Sequence, residues 1–262
     1  LEEGVASVIW WVVSGVLSYV SVPLLLPIFK SEVHKNYLGE DVPTALGLAF
    51  VLTGGLVIVA RLRIDPYAPH FSALLLFVAV LGIIDDLCGE ATRKGFRGHL
   101  TGGRLSTGTL KAWGGVLVST AIASSISSSV WQTLLNGIII ALMANFVNLL
   151  DLRPGRAAKF FLILGGLVYL LKPRALGPLF GMLWAVAGFL PWDLRRVAMM
   201  GDAGSNPLGA VLGLACVLSL PLYGRIVLAS ALILVNALSE KVSFSRVIES
   251  NRFLRFIDQL GR

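Results

Sequence analysis

The chain has 262 residues, of which 56% are hydrophobic and 14% charged, with a formal net charge of +7 and a mean hydropathy of +0.81. This balance excludes an ordinary water-soluble domain and points to a polytopic membrane protein, because so much apolar surface cannot be hidden inside one globule in water. The two cysteines, Cys88 and Cys216, stand apart in apolar contexts without metal-ligand spacing, so they read as ordinary thiols and not as a zinc site.

Apolar stretches fall near 5–29, 46–61, 70–87, 108–126, 130–150, 157–172, 175–191, 205–221 and 225–241. Each is about long enough, at roughly 15 to 25 residues, to cross a hydrocarbon core of about 30 Å. They predict an all-α integral membrane protein with nine transmembrane helices. The first run, VASVIWWVVSGVLSYVSVPLLLPIF, is too long for a cleaved signal peptide and lacks its basic front end, so it is expected to remain as a helix. After the ninth span comes SEKVSFSRVIESNRFLRFIDQLGR, a basic, amphipathic segment with the pattern of an interfacial helix. The expected organisation is one transmembrane domain over 1–241 and a cytoplasmic tail over 242–262.

Loop charges give an orientation. Of the 22 Lys and Arg residues, 17 fall on the loops of one face, and five on the other: Arg61, Arg63, Lys172, Arg174 and Arg225. The positive-inside rule makes the first face cytoplasmic, with the N-terminus outside and the C-terminus inside. Topology and contact with anionic lipid therefore account for the net charge, and nucleic-acid binding is not indicated.

The carboxylates sort to the same face. Asp85 and Asp86 end span three, Asp151 ends span five, Asp193 follows span seven, Asp202 precedes span eight and Glu240 ends span nine. A carboxylate at the hydrocarbon edge is costly unless paired, hydrated or metal-bound, so the set marks a candidate site, although a single member can be only a helix cap.

Three motifs carry the chemistry. IIDDL sets two carboxylates side by side at a helix end, where one can hold a proton or metal while its neighbour stays ionised. ANFVNLLDLRPGRA places Asn145, Asn148 and Asp151 three residues apart, close to one helical face, followed by Arg153, Arg156 and Lys159, which suit an anionic partner. MMGDAGSNPLGAVLG sets Asp202 in a turn flanked by Gly201 and Gly204, with Ser205 as the expected N-cap and helix-start amides left for a phosphate. Hard oxygen ligands of this kind favour Mg²⁺, or Mn²⁺, carried in with a diphosphate. A polar loop, RKGFRGHLTGGRLSTGTLK, lies between the first two motifs and brings Arg93, Lys94, Arg97, His99, Arg104 and Lys111 as countercharge for a phosphorylated headgroup.

IIDDL, NFVNLLD and MGDAGS, in this order, together with GEDVPTALG before span two, resemble the polyprenyl-phosphate N-acetylhexosamine-1-phosphate transferase superfamily, which includes the phospho-N-acetylmuramoyl-pentapeptide transferases. The resemblance runs from about Asn36 to Gly213. It implies transfer of a sugar-1-phosphate from a UDP-sugar to polyprenyl phosphate, with release of UMP, at a Mg²⁺-dependent cytoplasmic site of a multi-pass cell-membrane enzyme of envelope synthesis. It assigns Asp85, Asp86 and Asp151 to catalysis and Asn148 and Asp202 to the metal. Thr44, Lys111, Asn145, Arg153, Arg156, Gly201, Gly204 and Ser205 would hold substrate. Polyprenyl phosphate, the UDP-sugar and membrane lipid are the implied partners, and dimers are common among relatives, so a homodimer is compatible with it.

Two departures matter. Where that superfamily commonly continues Asp-Gly-x-Asp/Asn-Gly, Asp151 is followed by LRPG, so Pro154 replaces a polar residue at a position facing the donor in relatives. The His-rich loop of relatives is also missing, because the only histidines are His34, His70 and His99. These departures leave a non-catalytic, carrier-binding relative as the alternative. An ion-coupled transporter is disfavoured by the absence of internal repeats and mid-span charges, and the CDP-alcohol phosphotransferase signature is absent.

Overall fold

The computed structural model describes residues 2–88, 107–172, 176–239 and 241–262. Among these residues it is helical apart from one hairpin. The elements are α1 (Glu2–Leu25), β1 (Val33–Lys35), β2 (Asp41–Pro43), α2 (Leu48–Ala60), α3 (Ala68–Cys88), α4 (Thr107–Ile126), α5 (Val130–Leu150), α6 (Arg156–Leu171), α7 (Gly177–Leu194), α8 (Asp202–Ser219), α9 (Leu222–Ser239), α10 (Phe244–Ser250) and α11 (Arg252–Gln259).

Nine of these helices follow the nine apolar stretches in order. Three of them, α3, α5 and α9, are long and apolar enough by length and composition to cross a membrane, and the apolar parts of α1, α2 and α4 are shorter. Boundaries shift by a few residues: α1 stops at Leu25, α7 runs on through Pro191 to Leu194, and α8 starts at Asp202, ahead of the expected 205.

The centre of the bundle is α8, which lies against α2, α3, α5, α6 and α7. Every residue from Ala203 to Val217 is buried. The outer helices present the opposite pattern: on α9 only Ala229 and Leu232 are buried, while Val227, Ile233 and Leu234 are exposed. Leu76 and Phe77 on α3 and Trp131 and Leu134 on α5 are likewise exposed. An apolar exterior of this extent is the surface of a protein whose surroundings are themselves apolar.

The hairpin was not anticipated, since both strands are three residues long. Its register pairs Val33 with Pro43, His34 with Val42 and Lys35 with Asp41. The turn is closed by Asn36, whose Oδ1 accepts the amides of Leu38 at 2.8 Å and Glu40 at 3.1 Å, with Gly39 at φ +82°. From the end of β2 the backbone runs alongside the segment before α8: Met199 N donates to Pro43 O at 2.9 Å, and Leu46 N and Gly47 N donate to Met199 O and Met200 O at 3.1 Å each. These bonds fix the chain around Thr44 beside the start of the central helix.

Candidate active site

The site is built on the first turn of α8. An α-helix begins with amides that lack intrahelical partners, and a side-chain oxygen at the N-cap ordinarily takes one of them. Here the N-cap is Gly201, which has no side chain. The oxygens come instead from another helix: Asp86 Oδ1 accepts from Asp202 N at 2.9 Å and Asp86 Oδ2 from Ala203 N at 2.8 Å. A carboxylate on these amides also complements the positive end of the helix dipole. Ser205 is therefore not the N-cap that its position in the sequence predicts. It lies buried inside the first turn, where its hydroxyl is 2.9 Å from both Asn148 Oδ1 and Gly201 O. The reason is that the helix starts three residues earlier, at Asp202, where Asp86 takes the first amides.

The close fit depends on absent side chains. Gly201 has φ +66°, and a Cβ there would lie 2.6 Å from Asp86 Oδ2 and 2.7 Å from Thr44 Oγ1. Gly82, one turn before the carboxylate pair, lies so near the α8 backbone that a Cβ would come within 2.3 Å of Asp202 O. Opposite them Ala45 holds φ +61°, a left-handed conformation that a residue with a Cβ adopts at a cost and that marks a constrained position.

Asp86 thus orients Asp202, whose carboxylate turns toward α3 and α4. Lys111, on α4, forms ion pairs there with both Asp202 and Asp85, the latter at 3.3 Å. Asp85 and Asp202 are themselves within hydrogen-bonding reach of each other. Two carboxylates this close repel unless a cation lies between them. Asp151, just beyond the end of α5, adds to the same field. Burial and then the charges of Asp193, Asp202 and Asp86 push its carboxyl well above the usual carboxylate range, against the Gly201 amide. The structure therefore brings together Asp85, Asp86, Asp202 and Lys111 directly, joins Asn148 to Ser205, and sets Thr44 and Asp151 beside Gly201.

Next to this centre is a cavity of about 350 Å³. Asp151, Leu152, Arg153 and Pro154 form one wall; Lys35, Asn36 and Tyr37 of the hairpin, Arg196 and Met199 form others. Asp193, buried in α7, supports the wall from behind by accepting from Gly155 N at 2.9 Å. Gly155 holds φ +73°, which lets the chain turn from α5 into α6. Lys35, Tyr37 and Arg196 were not singled out in the sequence, because nothing in it places the hairpin over the second motif.

The remaining expected residues are engaged with partners outside the carboxylate centre, Arg153 from the cavity wall. Asn145 donates to Asn236 Oδ1 on α9 at 2.7 Å. Arg153 stacks over the Tyr37 ring at 4.2 Å and pairs with Glu249 at 2.9 Å. Arg156 is buried and committed to Asp258. Gly204 provides the close approach of α8 to α2, where a Cβ would lie 2.8 Å from Gly47 Cα. The basic loop from Arg93 to Arg104 and Glu240 lie outside the described residues.

Comparison with known proteins fits this geometry. The glycosyl transferase family 4 profile matches residues 69–220, more than half of the chain and all three carboxylate motifs. The chain belongs to glycosyl transferase family 4. It is also 24% identical over 243 residues to a phospho-N-acetylmuramoyl-pentapeptide-transferase of Nautilia profundicola, covering 78% of this chain and 67% of that one. Members of family 4 are transferases, and this chain is a membrane protein of that kind, with its motif residues gathered at one end of the helix bundle.

Proposed function

We propose that the protein transfers a sugar-1-phosphate from a UDP-sugar to polyprenyl phosphate, forming a polyprenyl-diphospho-sugar and UMP. The observation that carries this reading is the convergence of Asp85, Lys111 and Asp202, with Asp86 capping the helix that bears Asp202. These residues come from three helices, and the α3 and α8 members are more than a hundred positions apart. Family membership supports the reaction class, and the similarity to a phospho-N-acetylmuramoyl-pentapeptide-transferase supports a nucleotide-activated amino sugar as donor.

In this reading one oxygen of the lipid phosphate forms a bond to the β-phosphorus of the donor, and the bond from that phosphorus to the bridging oxygen breaks, leaving UMP. Both reactants are anions, so the barrier falls chiefly through positioning and charge stabilisation. Lys111 supplies a cation at the reacting phosphates, and Asp85 orients it. Asp86 holds Asp202 in place through the α8 amides, and Thr44 lies within reach of the same point. Asp151 stands between the carboxylate centre and the cavity, where the donor would lie.

A divalent cation fits the residues present. Mg²⁺ is commonly held by one or two carboxylates together with substrate phosphates, without a cage made of protein alone. Asp85 and Asp202 pair with one ammonium, Lys111, with Asp86 in its field and Asp151 beside them, and no three acidic, His or Cys side chains among the described residues are grouped tightly enough to form such a cage. Asp202 and Asn148 would hold the ion, which when bound would neutralise diphosphate charge. The excess of Lys and Arg on the loops of one face supports placing this end of the bundle on the cytoplasmic side of the membrane, where soluble UDP-sugars are found.

The test is to give the purified protein undecaprenyl phosphate, Mg²⁺ and a panel of UDP-sugars, and to measure UMP. Release with at least one donor is expected; folded protein that releases none with any donor overturns the reading.

A further inference from the structure

The second motif departs from its relatives at the turn Asp151–Gly155, and the structure shows what holds that turn. Pro154 has no N–H, so its carbonyl is the only backbone group at that residue that can be gripped. Arg262 grips it: its Nε donates to Pro154 O at 2.8 Å, while its two terminal nitrogens donate to Asp258 at 3.1 and 2.8 Å. Asp258 is buried, and its carboxylate also takes a two-point contact from Arg156, at 2.8 and 3.2 Å. Arg156 reaches on to Ser245, which lines the cavity, at 3.1 Å. Lys159 closes the end of α11 by donating to the carbonyls of Ile257, Asp258 and Leu260.

The stretch RPGRAAK thus has its charged side chains turned to the segment 244–262 and its turn held from two sides, by Asp193 and by Arg262. A surface helix that only lay on a membrane would need none of these bonds. We propose that the segment 244–262 is a working part of the transfer site, with Asp258 as a positioning residue. It aligns Arg262, Arg262 fixes the Pro154 carbonyl, and the turn so fixed sets the cavity wall formed by Asp151, Leu152 and Arg153. Neither Asp258 nor Arg262 touches the reacting atoms.

The kinetic part of this inference rests on the transferase reading, and the experiment separates the two. The full chain in lipid nanodiscs is compared with Asp258→Asn and with Arg262→Gln, which lies at the edge of the cluster and threatens folding least. The KM for the UDP-sugar is expected to rise about tenfold in both variants, while the KM for polyprenyl phosphate stays within about twofold of wild type, because a displaced wall misplaces the donor alone. A loss of folded protein would lower kcat without separating the two substrates. Donor KM unchanged in both variants overturns the proposal. If the wild type itself releases no UMP, the transferase reading falls, and the positioning claim is then decided by amide exchange: faster exchange over 151–159 in both variants upholds it, and unchanged exchange overturns it.

Discussion

Two charged clusters meet at the turn between Asp151 and Arg156, and they are built in opposite ways. Around Asp258 each described charge has its partner. Two guanidinium groups fork onto one carboxylate, and a lysine ends on three carbonyls. Around Asp202, among the described residues, the carboxylates of Asp85, Asp86 and Asp202 share the field of Lys111. A closed cluster has no use for a ligand and acts by holding things still. An open cluster is costly in the absence of one and gains from a cation or a phosphate. The same residue types therefore serve rigidity on one side of that turn and, in the proposed reading, chemistry on the other.

The largest effect that sharpens this contrast is expected from breaking the closed cluster. Asp258→Ala leaves Arg156 buried without its counter-ion, and removing one partner of such a pair costs about 3–5 kcal/mol. Chemical denaturation of the detergent-solubilised protein would measure it; a loss below about 1 kcal/mol would mean that the cluster is not closed. Its pH dependence follows from sign. Burial works to raise the Asp258 carboxyl, but the hydrogen bonds and charges of Arg156 and Arg262 outweigh it and hold the group below its ordinary value. The stabilisation is then fully present above the unfolded value of about 3.9 and is lost only as pH falls through the lower folded value, so it is flat from about pH 5 to 8.

The open cluster should answer in activity and not in stability. Asp202→Asn keeps the shape and removes one charge, and UMP release is expected to drop by about 10²- to 10³-fold, the usual loss when one preorganised electrostatic group is removed. Expression and melting temperature should stay near wild type, and Mg²⁺ should raise the melting temperature of wild type but not of this variant. Normal activity in Asp202→Asn would remove that residue from the reacting centre.

Asp86 stands between the two kinds, since it is a motif carboxylate used as a cap. Asp86→Ala leaves the first α8 amides without oxygen partners and should cost about 1 kcal/mol, the ordinary worth of an N-cap, while also lowering activity by releasing Asp202. Equal activity with a destabilised protein would make Asp86 purely structural.

Much of this was legible from the amino-acid order, for definite reasons. The long helices announce themselves because apolar runs have one solution in a bilayer, and IIDDL, NFVNLLD and MGDAGS could be placed at helix ends because polar residues interrupt those runs. What sequence could not supply was partnership across the chain. Ser205 reads as an N-cap because nothing local reveals that Asp86, 116 positions earlier than Asp202, caps the helix three residues ahead of Ser205. Arg156 reads as a ligand for an anion because its partner, Asp258, is 102 positions away in a segment whose obvious feature is amphipathicity. One signal was available: Asp258 is the sole acid of RFLRFIDQLGR and lies one helical turn from Arg262, a spacing at which opposite charges meet. The hairpin escaped because three-residue strands carry too little alternation to read.

The smallest effect tests whether proximity to the closed cluster is enough to matter. Arg153 and Glu249 pair at 2.9 Å, yet Glu249 is about half exposed and water screens the attraction. Exposed pairs of this kind contribute about 0.2–1 kcal/mol, so Glu249→Gln should leave stability within about 1 kcal/mol of wild type even though the pair, like Arg156 and Asp258, ties the second motif to the segment 244–262. Arg153 also lines the cavity and stacks on Tyr37, so the freed guanidinium remains beside the place proposed for the donor, and on that reading the donor's KM should fall. A loss of stability as large as that of Asp258→Ala would show that the clasp extends to the rim of the cavity; an unchanged KM would confine Arg153 to holding Tyr37.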